Sequence, residues 1–255
     1  MLLALVAVVF FTLPLVGLLQ RAPWGSIWDD ITSPVARDAI RISLVCSLWA
    51  TGLSILFGVP LAYVLARQRF FGRSFVRALV VLPMVLPPVV GGVALLYAFS
   101  VNHGLVGGWL FDTFGVQLTF STAGAVLAET FVAMPFLVIT VEAGLRSMDR
   151  RYEDAAASLG ANRWTVFRRV TLPLIAPSLY AGAALAWARA LGEFGATITF
   201  AGNIQGRTQT MPLAIYLLLE PDQGTAIALS LLLLAVSIGV LVLLRDRWFG
   251  AVRES

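Results

Sequence analysis

Lysine is missing from this 255-residue chain; its 18 basic residues are all arginine. Without lysine there is no Schiff-base chemistry and no phosphate-gripping lysine of a nucleotide-binding loop, so the chain is not itself a standard ATPase. Cysteine and histidine are nearly missing too, with one of each. Cys46 has no partner for an internal disulfide and lies in an apolar run, while His103 stands alone in a loop. A metal site needs several clustered ligands, so Cys46 reads as packing and His103 as a solvated side chain, and no metal is expected. Charge is also scarce. Charged residues make up 13% and apolar ones 59%, where a soluble domain carries about 25% and about 45–50%. That balance marks a membrane protein, without a polar block long enough for a soluble domain, and no nucleic-acid partner is expected.

What the chain has instead is apolar length. A bilayer core about 30 Å thick takes about 20 residues of apolar helix. Six stretches meet that requirement: residues 2–19, 42–66, 78–101, 122–145, 174–198 and 224–244. The first three and the last carry no charge; the fourth holds Glu129 and Glu142, and the fifth Arg189 and Glu193. The first stretch lacks the basic start of a signal peptide and is longer than the usual apolar segment of one, so it reads as a retained helix.

Arginine placement gives the orientation. Arg67, Arg69, Arg73 and Arg77 lie between spans two and three. Arg146, Arg150, Arg151, Arg163, Arg168 and Arg169 lie between four and five, and Arg245, Arg247 and Arg253 follow the last. These 13 share one side, against Arg21, Arg37, Arg41 and Arg207 on the other. Excess arginine marks the cytoplasmic side, so both termini are expected in the cytoplasm. Between the spans on the outer side, residues 20–41 bring Trp24 and Trp28, suited to a membrane interface. Residues 102–121 are rich in glycine and aromatics, and 202–223 include an apolar run, 211–219, too short to cross. That run reads as an interfacial or re-entrant half-helix. No internal repeat is evident.

The 146–173 loop is the most informative segment. Alanines and an acidic first turn favour a helix over about 150–158, which Gly160 would close with a left-handed cap. Asn162 would then cap a second short helix. Pro173 and Pro177 are expected to stop that helix and set the entry to span five. Trp164 and Phe167, three apart, would project from one side of it. They read either as an interfacial anchor or as a knob offered to a groove on a partner.

The order Asp154-Ala155-Ala156, Gly160, Val170, Leu172-Pro173 resembles the EAA loop of ABC-importer permeases, with aspartate in place of glutamate and valine in place of isoleucine. The run 190–200, Ala-Leu-Gly-Glu-Phe-Gly-Ala-Thr-Ile-Thr-Phe, is similar to span five of molybdate/tungstate permeases, and 82–90 resembles the same family. The likeness covers about residues 42–244. It implies an all-α membrane protein with six transmembrane helices and a type I ABC-importer permease-like fold, built as a single permease domain over 1–255. It also implies a non-catalytic subunit: a second copy of the permease, two cytoplasmic ABC ATPase subunits that bind ATP and Mg, and an extracytoplasmic substrate-binding protein would complete the complex in the cell membrane. The implied contacts to the ATPase are Tyr152, Glu153, Asp154, Ala155, Ala156, Gly160, Arg163, Trp164, Phe167, Leu172 and Pro173. Glu153 stands ready to take over contacts of the replaced glutamate. Sulfate permeases are the nearest relatives to exclude, since their span five is similar.

Span five and span three supply candidates for the translocation path or gate: Arg189, Gly192, Glu193, Phe194, Gly195 and Thr197, with Pro87 and Pro88. Gly192 and Gly195 permit close helix approach. Pro83, Pro87 and Pro88 remove backbone donors and should bend or interrupt span three, either to line a path or as a packing kink. Arg189 and Glu193 share a helix face and pair, because a charge near the bilayer centre costs at least about 2.5–3.5 kcal/mol. They line an interface or gate, or they lock helices together. Glu142 lies near the cytoplasmic end and reaches water, whereas Glu129 is deeper and needs a polar partner. A rival class, an ion-coupled secondary transporter, would use Glu129, Glu142 or Glu193 as a proton site. An intramembrane enzyme lacks the cluster of His, Cys or Asp that it would need.

Overall fold

The computed structural model describes residues 1–250, with side chains through residue 244; Arg253 of the basic tail lies outside the described residues, as do the side chains of Arg245 and Arg247. Every regular element among the described residues is helical. In chain order they are α1 (Leu2–Gln20), α2 (Ile27–Ile31), α3 (Pro34–Arg67), α4 (Arg73–Val85), α5 (Pro88–Phe99), α6 (Gly107–Phe114) and α7 (Thr122–Ser147). Then come α8 (Arg151–Ser158), α9 (Arg163–Val166), a π-helical turn (Phe167–Thr171), α10 (Leu172–Leu191), α11 (Gly195–Phe200), α12 (Met211–Leu218) and α13 (Gln223–Gly250).

Five helical runs are long and apolar enough to cross a membrane: α1, α3, α7, the continuous stretch Arg163–Leu191, and Gln223–Leu244. The expected third span is not one rod. The chain bends by 119° between α4 and α5, and only if this bent pair counts as one span does the total reach six. The cause is the double proline. Leu86, forced by the proline after it, is extended at ψ 134°, Pro87 follows at ψ 131°, and Pro88 opens α5 in its first turn.

Two other boundaries differ from expectation. α3 begins at Pro34, well before residue 42, because Ser33 accepts a hydrogen bond from the Ala36 N–H at 3.3 Å and Pro34 follows at the first helical position. Span five begins earlier than expected and breaks earlier. Pro173 and Pro177 do not stop the second loop helix, which runs on from α9 into α10. The π turn allows this: the Leu172 N–H bonds to the Phe167 carbonyl, five residues back, and the wider ring leaves room for Pro173. The helix ends at Leu191, not residue 198, and α11 restarts at Gly195.

α7 is the centre of the molecule. It packs along α3 and α10, and Ala133, Leu137, Val138, Val141 and Leu145 are all buried there. In lipid there is no hydrophobic gain from helix pairing, so close van der Waals packing has to hold such spans together. The sequence meets that demand with small residues. A Cβ on Gly58 of α3 would come within 2.9 Å of Leu137 Cδ2, and one on Gly182 of α10 within 3.3 Å of the Leu137 backbone. Hydroxyls add cross-links: Trp187 Nε1 donates to Ser47 Oγ at 3.0 Å, and the Met211 N–H at the head of α12 donates to Ser43 Oγ at 2.7 Å. α1 is the opposite case, with no buried residue along its length.

Candidate functional site

Two places hold the residues singled out from the sequence. The first is the loop from α7 to α10. Gly160 closes α8 at φ +83°, a conformation that costs other residues strain. Its N–H bonds to the Ala157 carbonyl at 2.9 Å, and the Ala161 N–H to the Ala156 carbonyl at 3.1 Å, the paired bonds of a Schellman cap. Asn162 Oδ1 then accepts the Thr165 N–H at 2.8 Å and starts α9. Two helices are thereby held in a compact helix–turn–helix.

One side of this unit is bare. Tyr152, Asp154, Ala155, Leu159 and Arg163 are exposed, and Trp164 is 68% exposed. Trp164 and Phe167 do not project alike. Their rings stack at 5.9 Å, but Phe167 is half-buried edge-on against Tyr63 of α3 at 5.6 Å. Glu153 does not face outward beside Asp154. Its Oε2 lies 3.2 Å from Arg67 Nε, and its Oε1 accepts a 2.7 Å hydrogen bond from the Thr171 hydroxyl. It therefore serves the inside of the protein and is not placed to stand in for an outward glutamate. Ala156 and Leu172 are half-buried, and Pro173 is exposed.

The second place is the break between α10 and α11. Arg189 Nη2 pairs with Glu193 Oε2 at 2.5 Å, and Glu193 Oε1 accepts the Ala196 N–H at 2.7 Å. The carboxylate thus does two jobs: it neutralises the arginine and fills one of the donors left open where α11 begins. Glu193 is 1% exposed and Arg189 27%, so the carboxylate is buried and the arginine keeps one open side. Gly192 is exposed, Gly195 and Thr197 are buried, and Phe194 packs on Tyr216 of α12 at 5.4 Å.

The proline bend and this break meet. A Cβ on Gly195 would stand 2.8 Å from Pro88 Cβ, and one on Gly92 of α5 would stand 2.7 Å from Thr199 Cβ. Pro87 and Pro88 are otherwise exposed. Two interrupted helices are therefore stacked at one point, and in membrane proteins such irregular backbone is tolerated where it is buried in protein or lines a cavity.

The remaining carboxylates divide. Glu142 does not simply reach water: Arg77 of α4 pairs with it, and Arg146 Nη2 lies 2.9 Å away. Glu129 is 1% exposed and its Oε2 has no hydrogen-bond partner. Among the described residues no group of three or more His, Cys, Asp or Glu is placed to hold a metal ion. Sequence reasoning missed Thr171 and Arg67 as partners of Glu153, and Arg77 as the partner of Glu142. All three act across chain separations that carry no local signal.

These features define a multi-pass helical membrane protein with two stacked helix interruptions and a helix–turn–helix loop on its surface. Residues 54–252 match the family model described as "Binding-protein-dependent transport system inner membrane component". The chain belongs to this family, and so is a multi-pass inner-membrane transport subunit. It is 49% identical over 234 residues to a protein named "Molybdenum transport system permease protein ModB" from Mycobacterium bovis, covering 92% of this chain and 88% of that one. To the "Sulfate transport system permease protein CysT" of Escherichia coli it is 40% identical over 225 residues, covering 88% of this chain and 80% of the other. A solved bacterial alginate ABC transporter, in complex with alginate pentasaccharide-bound periplasmic protein, contains a chain of the same fold. The TM-score is 0.68 at 21% identity, with 95% of this chain and 93% of that one covered.

Proposed function

We propose that this chain is the permease of an ATP-driven ABC importer that carries molybdate, or the closely similar tungstate, into the cytoplasm. Two copies form the passage between them. Two ATPase subunits, which bind ATP and Mg, lie below, and a substrate-binding protein delivers the oxyanion from outside. Both termini and the 146–173 loop face the cytoplasm, in keeping with the arginine count.

The observation that carries the reading is the bare face of the helix–turn–helix, with Tyr152, Asp154, Leu159 and Trp164 exposed, on a chain of this family. An exposed tryptophan beside a rigid glycine cap fits a groove on a partner protein, where aromatic anchors supply much of the binding energy. Gly160, Ala155, Ala156, Arg163, Phe167, Leu172 and Pro173 shape that knob, and Glu153 fixes it from behind. ATP binding draws the two ATPase subunits together, and the docked loops pass the movement to the spans. Arg189, Gly192, Glu193, Phe194, Gly195, Thr197, Pro87 and Pro88 form the gate region, where the two interruptions give the backbone freedom to shift.

No basic cluster inside the spans binds the anion tightly, so substrate choice rests with the binding protein. The likeness to the ModB relative, at higher identity than to the sulfate permease, supports molybdate. Calorimetry of the cognate binding protein tests the choice: tight molybdate and tungstate binding with weak sulfate binding is expected, and the reverse order overturns the substrate. For the class, ATP-dependent uptake by the reconstituted complex should disappear when Gly160 is replaced by valine. Undiminished uptake would remove the loop from the coupling role.

A further inference from the structure

Most side chains of α8 that carry charge or rings point away from the protein; Glu153 points back into it. A single carboxylate there joins three elements. Oε2 holds Arg67, the last residue of α3, at 3.2 Å, and Oε1 takes the hydrogen bond of Thr171, the last residue of the π turn, at 2.7 Å. Arg67 and Glu153 side chains are 9% and 14% exposed, and Thr171 is fully buried, so water offers little competition. Arg150 reinforces the joint by donating to the Arg67 carbonyl at 3.5 Å.

We infer that Glu153 is a positioning residue for energy coupling, a strut that makes the loop helix move as one body with the ends of α3 and α10. The inference rests on the coupling role proposed above and adds the route by which that movement enters the membrane. α10 follows the π turn without a break, and a 20-residue helix is a rod about 30 Å long. At its far end it carries Arg189, which grips Glu193 at the start of the break. A push on α8 therefore reaches the break through Glu153, Thr171 and α10.

The joint is also incompletely closed. Arg67 Nε and Nη2 are buried and make no hydrogen bond, although a guanidinium presents this edge for a two-point grip on a carboxylate. Glu153 is held there by charge, and a small advance of α8 completes the grip. The strut can thus tighten under load without any new partner entering.

The test uses the full complex of permease, ATPase and binding protein in proteoliposomes, and reads substrate imported per ATP hydrolysed. Thr171→Val keeps the side-chain volume and the Arg67–Glu153 pair but removes the hydroxyl; Thr171→Ser restores it. The value expected is a roughly ten- to hundredfold drop in import per ATP for Thr171→Val, matching one hydrogen bond to a charged group, with ATP hydrolysis kept and recovery in Thr171→Ser. Glu153→Gln should fall at least as far. Co-purification of the ATPase and the thermal midpoint of the complex are measured for every variant. Wild-type coupling in an assembled Thr171→Val complex, or no recovery in Thr171→Ser, overturns the strut. Loss of the ATPase from Thr171→Val and Glu153→Gln also overturns it, because the carboxylate is then needed for docking. If the wild-type complex itself shows no ATP-driven import, the proposed function fails instead.

Discussion

At the break after α10 the carboxylate is turned inward, whereas on the α8–α9 unit most of the rings and charges, Glu153 apart, are turned outward. Arg189 and Glu193 satisfy each other, and the carboxylate also holds the Ala196 N–H. Among the described residues the side chains of Tyr152, Asp154, Leu159 and Trp164 make no hydrogen bond or ion pair, and the Trp164 ring stacks on Phe167. The first region's charged groups find their partners within the single chain. The second is rigid in backbone yet open in side chains, which is what a docking surface needs. Substitutions should separate the two: those at the break cost stability, and those on the loop cost communication.

The largest loss of stability belongs to Arg189→Met. It leaves Glu193 buried without its cation, which typically costs about 3–5 kcal/mol, and should lower the thermal midpoint of the purified protein and its yield. Next comes Gly92→Val. Even a Cβ at this position would lie 2.9 Å from the Ala196 carbonyl oxygen, so α5 and α11 must separate. The penalty is about 1–3 kcal/mol, visible as earlier thermal unfolding. A normal midpoint in either variant would show that the break is held from elsewhere.

Gly160→Val is a smaller and more local effect. A Cβ there meets nothing within 4 Å, so the main cost is the left-handed backbone. That strain is about 1–2 kcal/mol, released by fraying of α8, with the spans intact by circular dichroism and coupling lost. Trp164→Ala should change stability least, within about 0.5 kcal/mol as at other exposed positions. Its effect appears in co-purification of the ATPase, which weakens. A clearly lowered thermal midpoint in Trp164→Ala with unchanged ATPase co-purification would make Trp164 a packing residue and not part of a docking face.

The loop was the easiest part to read from sequence because its signals are local. Gly160 and Asn162 each decide the backbone within a few residues, and the structure places the left-handed turn and the capped helix there. The proline bend was legible in place, since Pro87 and Pro88 lack donors, but its angle of 119° was not. Hydropathy counts length and not direction, so 78–101 read as one span. Pro173 misled for the opposite reason. A proline ordinarily ends a helix, but a π turn absorbed it, and that change of hydrogen-bond register has no signature in residue spacing. The break at Gly192–Phe194 was hidden because a mostly apolar run of span length reads as continuous helix; in the structure α10 ends at Leu191 and the Glu193 carboxylate turns back onto the Ala196 N–H. The pairs Arg67–Glu153 and Arg77–Glu142 join distant segments, and no local pattern could have matched them.

In the proposed function this chain supplies a passage and a lever, and the energy comes from another chain. The most direct test compares uptake of labelled molybdate into proteoliposomes holding the permease alone with those holding permease, ATPase and binding protein. Accumulation only in the complete system, and only with hydrolysable ATP, is the result expected. Accumulation by the permease alone under a proton or sodium gradient would contradict the account and make Glu129, whose Oε2 is buried without a hydrogen bond, the first residue to examine.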